Sequence, residues 1–146
     1  MIRFARFSCC REGGFSLIEL IIVMAVIGLL LGLAIPGYQH YMQRSRRSDA
    51  LEALYRLQQA QLRYRGFHPG YAKDLAELTP KFDAASRQGY YRLSTGVDGD
   101  ERSSYFVEAD VQAGGMQAGD SECQRIRLSQ RQHTVNLSPT ACWGKR

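Results

Sequence analysis

The chain has 146 residues, which allows one domain of ordinary size with an appendage and excludes two full-sized domains. Hydrophobic residues make up 45% and charged residues 23%, so a disordered tail and a collagen-like fibre are both excluded. The formal net charge of +5 comes from 19 basic and 14 acidic residues, an excess too small to indicate nucleic-acid binding by itself.

The first forty residues contain a basic start and a long apolar stretch. Three arginines precede Gly13-Gly14, and the stretch from Phe15 to Ile35 follows, with Glu19 as its charged residue. At about 1.5 Å per residue, a helix of this length spans roughly the 30 Å core of a bilayer. In a secretory signal peptide the small residues follow the apolar region, whereas here the glycines precede it. The stretch therefore predicts a membrane helix that is retained.

Glu19 requires an explanation, because a carboxylate inside an apolar span costs roughly 2.5–3.5 kcal/mol even on a lenient insertion scale. It lies only four residues after Phe15, so one interpretation is that its side chain reaches outward to the interface. The alternative is a nearby cation. Cleavage after Gly14 would create one, the new α-amino group of Phe15.

Together these residues resemble the class III signal of type IV prepilins. The resemblance rests on Gly13-Gly14, on Phe15 as an aromatic new terminus, on Glu19 at the fifth mature position and on Pro36. It implies that a membrane-bound prepilin peptidase cuts after Gly14 and N-methylates Phe15. It also implies that Glu19 pairs with the terminal amine of a neighbouring subunit during assembly.

The same resemblance implies three segments: a cleaved leader (1–14), a helix half that lies first in the membrane and then in the filament core (15–36), and a periplasmic globular domain (37–146). Within the helix half, Gly28 and Gly32 form a small-xxx-small pair that permits close helix packing, although glycine is common in membrane helices. Pro36 predicts a kink or local loosening between Gly28 and Pro36.

Beyond Pro36 the spacing of apolar residues predicts that the helix continues to about residue 66, where the segment Gly66–Gly70 ends it. Asp49 and Glu52 fall on the polar side. We expect a broad apolar face to pack on a sheet; it comprises Ala50, Ala53, Leu54, Leu57, Ala60 and Tyr64, with Leu51, Tyr55 and Leu62 beside them.

Four short strands are predicted in the second half of the chain, after a loop (67–88) that contains a helical turn within Tyr71–Leu78. The stretch 113–120 is rich in glycine and predicts a flexible turn between the second and third strands. The predicted strands are Tyr90–Ser94, Ser104–Val111, Gln124–Ser129 and His133–Leu137. One long helix, apolar in its first half and amphipathic in its second, against a small antiparallel sheet of about four strands is an α+β fold, the pilin ladle.

The cysteines indicate the orientation of the chain in the membrane. Arginines near the two ends of the apolar span number three each, so the positive-inside rule leaves the orientation open. Cys123 and Cys142 enclose eighteen residues and predict a disulfide in an oxidising compartment, which places the C-terminal part in the periplasm. A metal pair is the alternative, but none of the three histidines has ligand-like spacing with either cysteine. Cys9 and Cys10 are adjacent in the leader and would leave with it.

The leading functional prediction is a type IV pilus subunit, most similar to PilE-like minor pilins, that partners other pilins, prepilin peptidase and inner-membrane assembly machinery. It would serve adhesion or twitching motility, first in the inner membrane and then in an extracellular pilus. A major pilin and a type II secretion pseudopilin are alternatives, although Asp98, Asp100 and Asp120 do not form the calcium loop typical of the latter.

Two further functional classes are alternatives for this sequence. A DNA-uptake pilin would use the basic residues near the disulfide, although alternate arginines also protect an exposed strand edge; those residues are Arg125, Arg127, Arg131, Lys145 and Arg146, with Trp143 for stacking. A signal-anchored enzyme is disfavoured, because the exported part has no GxSxG, HExxH, P-loop or GxGxxG motif. No cofactor is predicted.

Overall fold

The computed structural model describes residues 16–144, apart from the side chain of Pro36. The chain divides into two compact units, Met1–Gln39 and His40–Arg146. Gly14, Phe15, the leader cysteines and the last two residues lie outside the described residues. The elements are helix α1 (Leu17–Phe67), strands β1 (Tyr91–Gly96), β2 (Ser104–Val111), β3 (Arg125–Arg131) and β4 (Thr134–Ser138), and 3-10 turns at Leu75–Glu77 and Thr140–Trp143.

In the first unit, α1 exposes an unbroken apolar surface. The side chains from Leu17 to Ile35 are all exposed, and an 18-residue window has a mean hydropathy of 2.8 with no part of it buried. Among the described residues, α1 is the helix that is long and apolar enough to cross a membrane. The predicted helix is therefore confirmed in its length and composition, and its apolar surface has no partner among residues 16–144.

Helix α1 is continuous across Gly28, Gly32 and Pro36. The local loosening expected there is not observed, because a single proline removes one hydrogen bond from a ladder that extends over 51 residues. The kink expected at Pro36 stays a prediction. The end of α1 at Phe67 agrees with the expected end near residue 66.

In the second unit, α1 packs against one face of the sheet. The helix buries the predicted residues Ala50, Ala53, Leu54, Leu57 and Ala60, and Tyr64 and Leu51 pack at the margin of this core. The sheet buries the inward side chains that alternate along its strands: Tyr91, Leu93, Tyr105, Val107, Ala109, Ile126 and Leu128. Complete burial of a leucine contributes about 1.5–3 kcal/mol, so this contact is the main source of stability of the unit.

Three expectations for the helix face were wrong. Tyr55 and Leu62, expected to pack beside the apolar stripe, are 42% and 47% exposed, because the sheet covers only part of the helix circumference. Asp49, expected on the polar side, is 5% exposed. Its Oδ1 accepts a hydrogen bond from the backbone N–H of Gln88 at 3.1 Å, so the loop after the helix covers it.

The sheet is antiparallel with the order β1-β2-β3-β4. Strand β2 has the predicted bounds, whereas β1, β3 and β4 each begin one residue later than predicted and end one or two residues later. The α+β fold with four strands is confirmed, and the turn at Leu75–Glu77 lies inside the predicted helical segment. The turn at Thr140–Trp143 was not predicted.

Candidate functional site

Glu19 is the charged group of the apolar half of α1. It lies in the first turn of the helix, where a carboxylate interacts favourably with the helix dipole, and its side chain is exposed. No ion pair involves Glu19 within residues 16–144. A carboxylate with apolar neighbours and without a cation among residues 16–144 is available to a cation from outside this part of the chain.

Gly28 and Gly32 lie one helical turn apart on the same helix. A Cβ built at either position would meet nothing within 4 Å, so neither glycine is required by contacts among residues 16–144. The absence of side chains here leaves a shallow groove on the helix surface, which permits the close approach of another helix.

The predicted disulfide between Cys123 and Cys142 is confirmed, with a Cα–Cα distance of 5.9 Å. Beside it, an ion pair holds the loop between β2 and β3 against α1. Arg47 donates to both carboxylate oxygens of Asp120 at 2.7 Å and to Glu122 at 3.2 Å. Gln117 also donates to Asp120, at 2.7 Å. The stretch expected to be a flexible turn is thus fixed to the helix through buried polar groups.

This pair shifts the pKa of both partners. Burial opposes ionisation of Asp120, but the hydrogen bonds and charge of Arg47 outweigh it, so the pKa of Asp120 lies below its usual range. The hydrogen bond to Asp120 raises the pKa of Arg47. Both groups are therefore charged at neutral pH, and the pair forms a bidentate link of the strong type.

Three arginines of the possible DNA-binding set are neutralised by acidic neighbours, whereas Lys145 and Arg146 lie outside the described residues. Arg125 donates to Asp110 at 2.6 Å, Arg127 donates to Glu108 at 3.2 Å, and Arg131 donates to Asp98 at 2.8 Å. The hydrogen bond from Arg131 lowers the pKa of Asp98. On the outer face of the sheet, these three arginines therefore support the structural interpretation better than a phosphate-binding one.

A second set of arginines lies on α1. Arg56 and Arg63 are exposed, and neither has a carboxylate within 4 Å in the part of the chain that the structure describes. They flank a groove of about 180 Å³ whose remaining lining residues are uncharged: Gln59, Ala60, Pro80 and Phe82. We call this the arginine groove. A neighbouring cleft that shares Arg56 also contains Lys81, but it is lined by three acidic residues as well.

Two further features concern residues 16–144. This part of the chain holds no cluster of three or more metal-ligating side chains, and Asp98 and Asp120 each accept hydrogen bonds from an arginine.

Gln61, which the sequence analysis missed, is fully buried. Its amide group exchanges two hydrogen bonds with the backbone of Ala72 and donates a third to Thr95. A glutamine at an apolar position of the helical pattern was the available signal.

Two family models match the chain. The "Prokaryotic N-terminal methylation motif" matches residues 9–35, and "Type IV minor pilin ComP, DNA uptake sequence receptor" matches residues 36–127. The first match covers the end of the expected leader and the apolar half of α1. The second covers most of the unit that contains the sheet.

Curated relatives agree with these models. The chain is 32% identical over 118 residues to the type IV major pilin protein PilA of Myxococcus xanthus, covering 79% of this chain and about half, 51%, of PilA. It is 30% identical over 128 residues to the type IV major fimbrial protein FimA of Dichelobacter nodosus, covering 85% of this chain and 70% of FimA. PilE1 of Neisseria gonorrhoeae matches over 40 residues at 50% identity, covering 27% of this chain and 24% of PilE1. From the N-terminal motif, the helix-on-sheet fold and these relatives, the chain belongs to the type IV pilin family.

Proposed function

We propose that this chain is a subunit of a type IV pilus that is processed by prepilin peptidase after Gly14 and then assembled through its apolar helix. The observation that carries the proposal is the fully exposed apolar surface of α1, which lies within the matched methylation motif. Such a surface is stable in a membrane or against copies of itself, and not in water. The proposed segments are a leader (1–14), a membrane and core helix (15–36) and a globular domain (37–146).

Processing supplies a cation for Glu19, which has none among residues 16–144. Cleavage creates the α-amino group of Phe15, which the peptidase methylates and which stays charged. In a medium of low dielectric, an amine and a carboxylate on two chains attract more strongly than in water, and their meeting sets the axial register of the two helices. Gly28 and Gly32 allow close packing of the helices, and Pro36 marks the end of the core segment.

This sequence of events gives the chain two locations. Before assembly the apolar half of α1 lies in the inner membrane with the disulfide-containing unit in the periplasm, where the machinery for pilus assembly acts on it. After assembly the chain lies in an extracellular filament that serves surface attachment or motility. The role of the chain is structural, and no reaction or cofactor is proposed.

The test is the fate of the full chain in cells that produce prepilin peptidase and a pilus. We expect the mass of the mature chain to correspond to a start at methylated Phe15. We also expect the Glu19→Val variant to be inserted and cleaved, but to be at least tenfold less abundant in sheared filaments than the wild type. Glu52→Ala, an exposed glutamate elsewhere on α1, is the matched control and keeps normal incorporation. A mature start near Pro36, or normal incorporation of Glu19→Val, contradicts the proposal.

We propose DNA binding as a second function, and minor rather than major pilin as the corresponding class. The family model over residues 36–127 describes a DNA uptake sequence receptor, and the arginine groove supplies a matching surface. Arg56 and Arg63 are seven residues apart, about 10 Å along the helix, which is close to the rise of three nucleotides of one DNA strand. Phe82 lies in the same groove and offers an apolar surface.

Two double variants with the same change of charge test this function. The full chain in detergent would be retained on double-stranded DNA over a range of salt concentrations. The quantity measured is the slope of log K for DNA binding against the logarithm of the salt concentration. Arg56→Gln with Arg63→Gln should reduce the magnitude of this slope by about 1.8, at about 0.9 per lost phosphate contact. Arg125→Gln with Arg131→Gln should leave the slope unchanged, because both arginines are paired with carboxylates. DNA binding through the arginine groove is refuted if both double variants lose the same amount of slope. It is also refuted if the wild type shows no salt-dependent retention on DNA.

A further inference from the structure

One stripe of side chains on α1 leads from the arginine groove to the end of the helix. Arg56, Arg63 and Phe67 follow each other at intervals of seven and four residues, and such spacings place them on one side of a helix. Phe67 therefore lies about 6 Å beyond Arg63 along the helix axis. It is 84% exposed, more than any other large apolar side chain among the described residues. An aromatic ring thus lies in solvent at the end of a row of two arginines.

Phe67 borders a cavity that we call the aromatic socket. Its volume is about 510 Å³, and its lining residues are Arg63, Tyr64, Phe67, His68, Glu77 and Thr79. Clefts that bind small molecules have volumes of about 300–1,000 Å³, so the socket is large enough for one flat ligand. Arg63 also lines the arginine groove, so the socket and the groove adjoin at this residue.

The rings of the socket are held in place by the chain itself. Tyr64 and His68 stack with their ring centroids 3.8 Å apart and their planes 6° apart. His68 donates a hydrogen bond from Nδ1 to the backbone oxygen of Tyr64 at 2.9 Å, and Arg65 donates to the backbone oxygen of His68 at 3.0 Å. Because these rings are already fixed, little conformational freedom is lost when a flat ligand binds beside them.

Glu77 determines which part of a nucleotide the socket can bind. Its carboxylate accepts a hydrogen bond from the backbone N–H of Lys73 at 2.9 Å and has no cation within 4 Å in the described part of the chain. Burial and the charge of Glu77 raise the pKa of Tyr64, so this charge lies near the stacked rings. A carboxylate has about four acceptor sites, so some remain for another N–H donor. A phosphate would be repelled here, whereas the amino group of a base would be bound.

The other charges near the socket are already engaged. Lys73 pairs with Glu101 at 2.8 Å, and Asp74 accepts hydrogen bonds from the backbone N–H groups of Ala76 and Glu77 at 2.7 and 3.3 Å. The described lining of the socket therefore carries one cation, which it shares with the arginine groove, and one anion. These two charges do not pair with each other. This arrangement fits a nucleotide, which presents a phosphate at one end and an amino-bearing base at the other.

We propose that DNA bound along the arginine groove places one unpaired base in the aromatic socket, stacked on Phe67 and hydrogen-bonded through its exocyclic amino group to Glu77. The inference rests on the proposed DNA binding and names its substrate, which is DNA with a single-stranded segment. In a duplex the base must first leave its stack, a cost that a single strand avoids. Every base stacks on an aromatic ring, but thymine has no exocyclic amino group and presents a carbonyl oxygen instead. The carboxylate of Glu77 therefore disfavours thymine.

Matched DNA probes test the socket with the full chain in detergent. One probe is a duplex, and three others add to it a short single-stranded overhang of cytosines, of thymines or of abasic sites. The three overhangs carry the same number of phosphates, so any difference in their affinity comes from the bases. We expect fluorescence anisotropy to show about tenfold tighter binding of the cytosine overhang than of the abasic one, as one stacked base provides. Equal affinities for these two overhangs overturn the inference.

Two variants separate the role of the ring from that of the carboxylate. Phe67→Ala should remove most of the gain from the cytosine overhang, whereas Met116→Ala, a matched control at a side chain that is 73% exposed, should keep it. The wild type should prefer cytosine over thymine by about fivefold, the effect of one hydrogen bond. Glu77→Gln should bring this ratio close to one, because an amide both donates and accepts. Equal losses from Phe67→Ala and Met116→Ala, or an unchanged ratio in Glu77→Gln, overturn the inference.

The duplex without an overhang distinguishes the two possible failures. If the wild type shows no salt-dependent binding of this duplex, the proposed DNA binding is refuted. If the duplex binds through the arginine groove but no overhang increases the affinity, the socket inference alone is overturned. A protein contact at the socket is the other outcome: Phe67→Ala would then deplete the chain from sheared filaments and leave the affinity for every overhang unchanged, which also overturns the inference.

Discussion

Replacing Arg47 by alanine would leave the carboxylate of Asp120, whose side chain is 2% exposed, without its cation. Removal of one partner from a buried pair typically costs 3–5 kcal/mol, because the remaining charge is desolvated and uncompensated. The Arg47 side chain is itself 12% exposed, so water can partly replace it, and we place the loss at about 3 kcal/mol.

Arg125→Ala is the matched control for this variant. Arg125 has an equally short contact, 2.6 Å to Asp110, but its side chain is 65% exposed and that of Asp110 is 33% exposed. Exposed pairs contribute only about 0.2–1 kcal/mol. The measurement is urea unfolding of the full chain in detergent, followed by the fluorescence of Trp143. Equal losses for the two variants would refute the argument that burial, and not distance, determines the contribution.

The same variants should differ in their response to pH. In the wild type the pKa of Asp120 is below its unfolded value near 3.8, so the stability from this pair is present above pH 3.8 and is lost as the pH falls through the lower folded value. In Arg47→Ala the hydrogen bonds and charge of Arg47 no longer lower the pKa of Asp120, so burial raises this pKa against the hydrogen bond from Gln117 that remains. The difference between wild type and variant should therefore shrink below about pH 4. A constant difference from pH 7 to pH 3 would exclude Asp120 as its origin.

Three further changes have defined outcomes in the same unfolding assay. Gln61→Leu should cost about 3 kcal/mol, because it leaves buried groups of Ala72 without partners, whereas the exposed Gln59→Leu should change stability by less than about 0.5 kcal/mol. Gly96→Ala should cost about 1–3 kcal/mol, because the new Cβ would lie 2.9 Å from the Phe106 ring, which Arg127 covers at 3.9 Å. Burial raises the pKa of Tyr91 and Tyr105 to about 12. The free energy of unfolding should therefore be unaffected by these groups below pH 10 and should decrease as the pH rises toward 12. Ionisation of both tyrosines near pH 10, in an absorbance titration of the folded chain, would contradict this.

The elements that could be predicted are those with local signals. The apolar run of α1, the period of its main buried stripe and the alternation of polar and apolar residues in β3 depend only on neighbouring residues, and each agrees with the structure. Polar burial was not predictable in this way. Asp49 is covered by a backbone N–H 39 residues away, and Asp120 is held by an arginine 73 residues away. Only the tertiary fold determines whether such a carboxylate lies in water or in a hydrogen-bonded interior.

The charge pairs on the outer face of the sheet lie between the local elements, which were predictable, and the buried polar groups, which were not. Asp110 stands opposite Arg125, and Glu108 stands opposite Arg127, in the register of β2 and β3. The loop between these strands is too long to fix the register by turn type, so the sequence left it open. Opposite charges directly across two strands stabilise a register and like charges destabilise it. Pairing the acidic residues of β2 with the arginines of β3 would have selected this register and shown that these arginines are already neutralised.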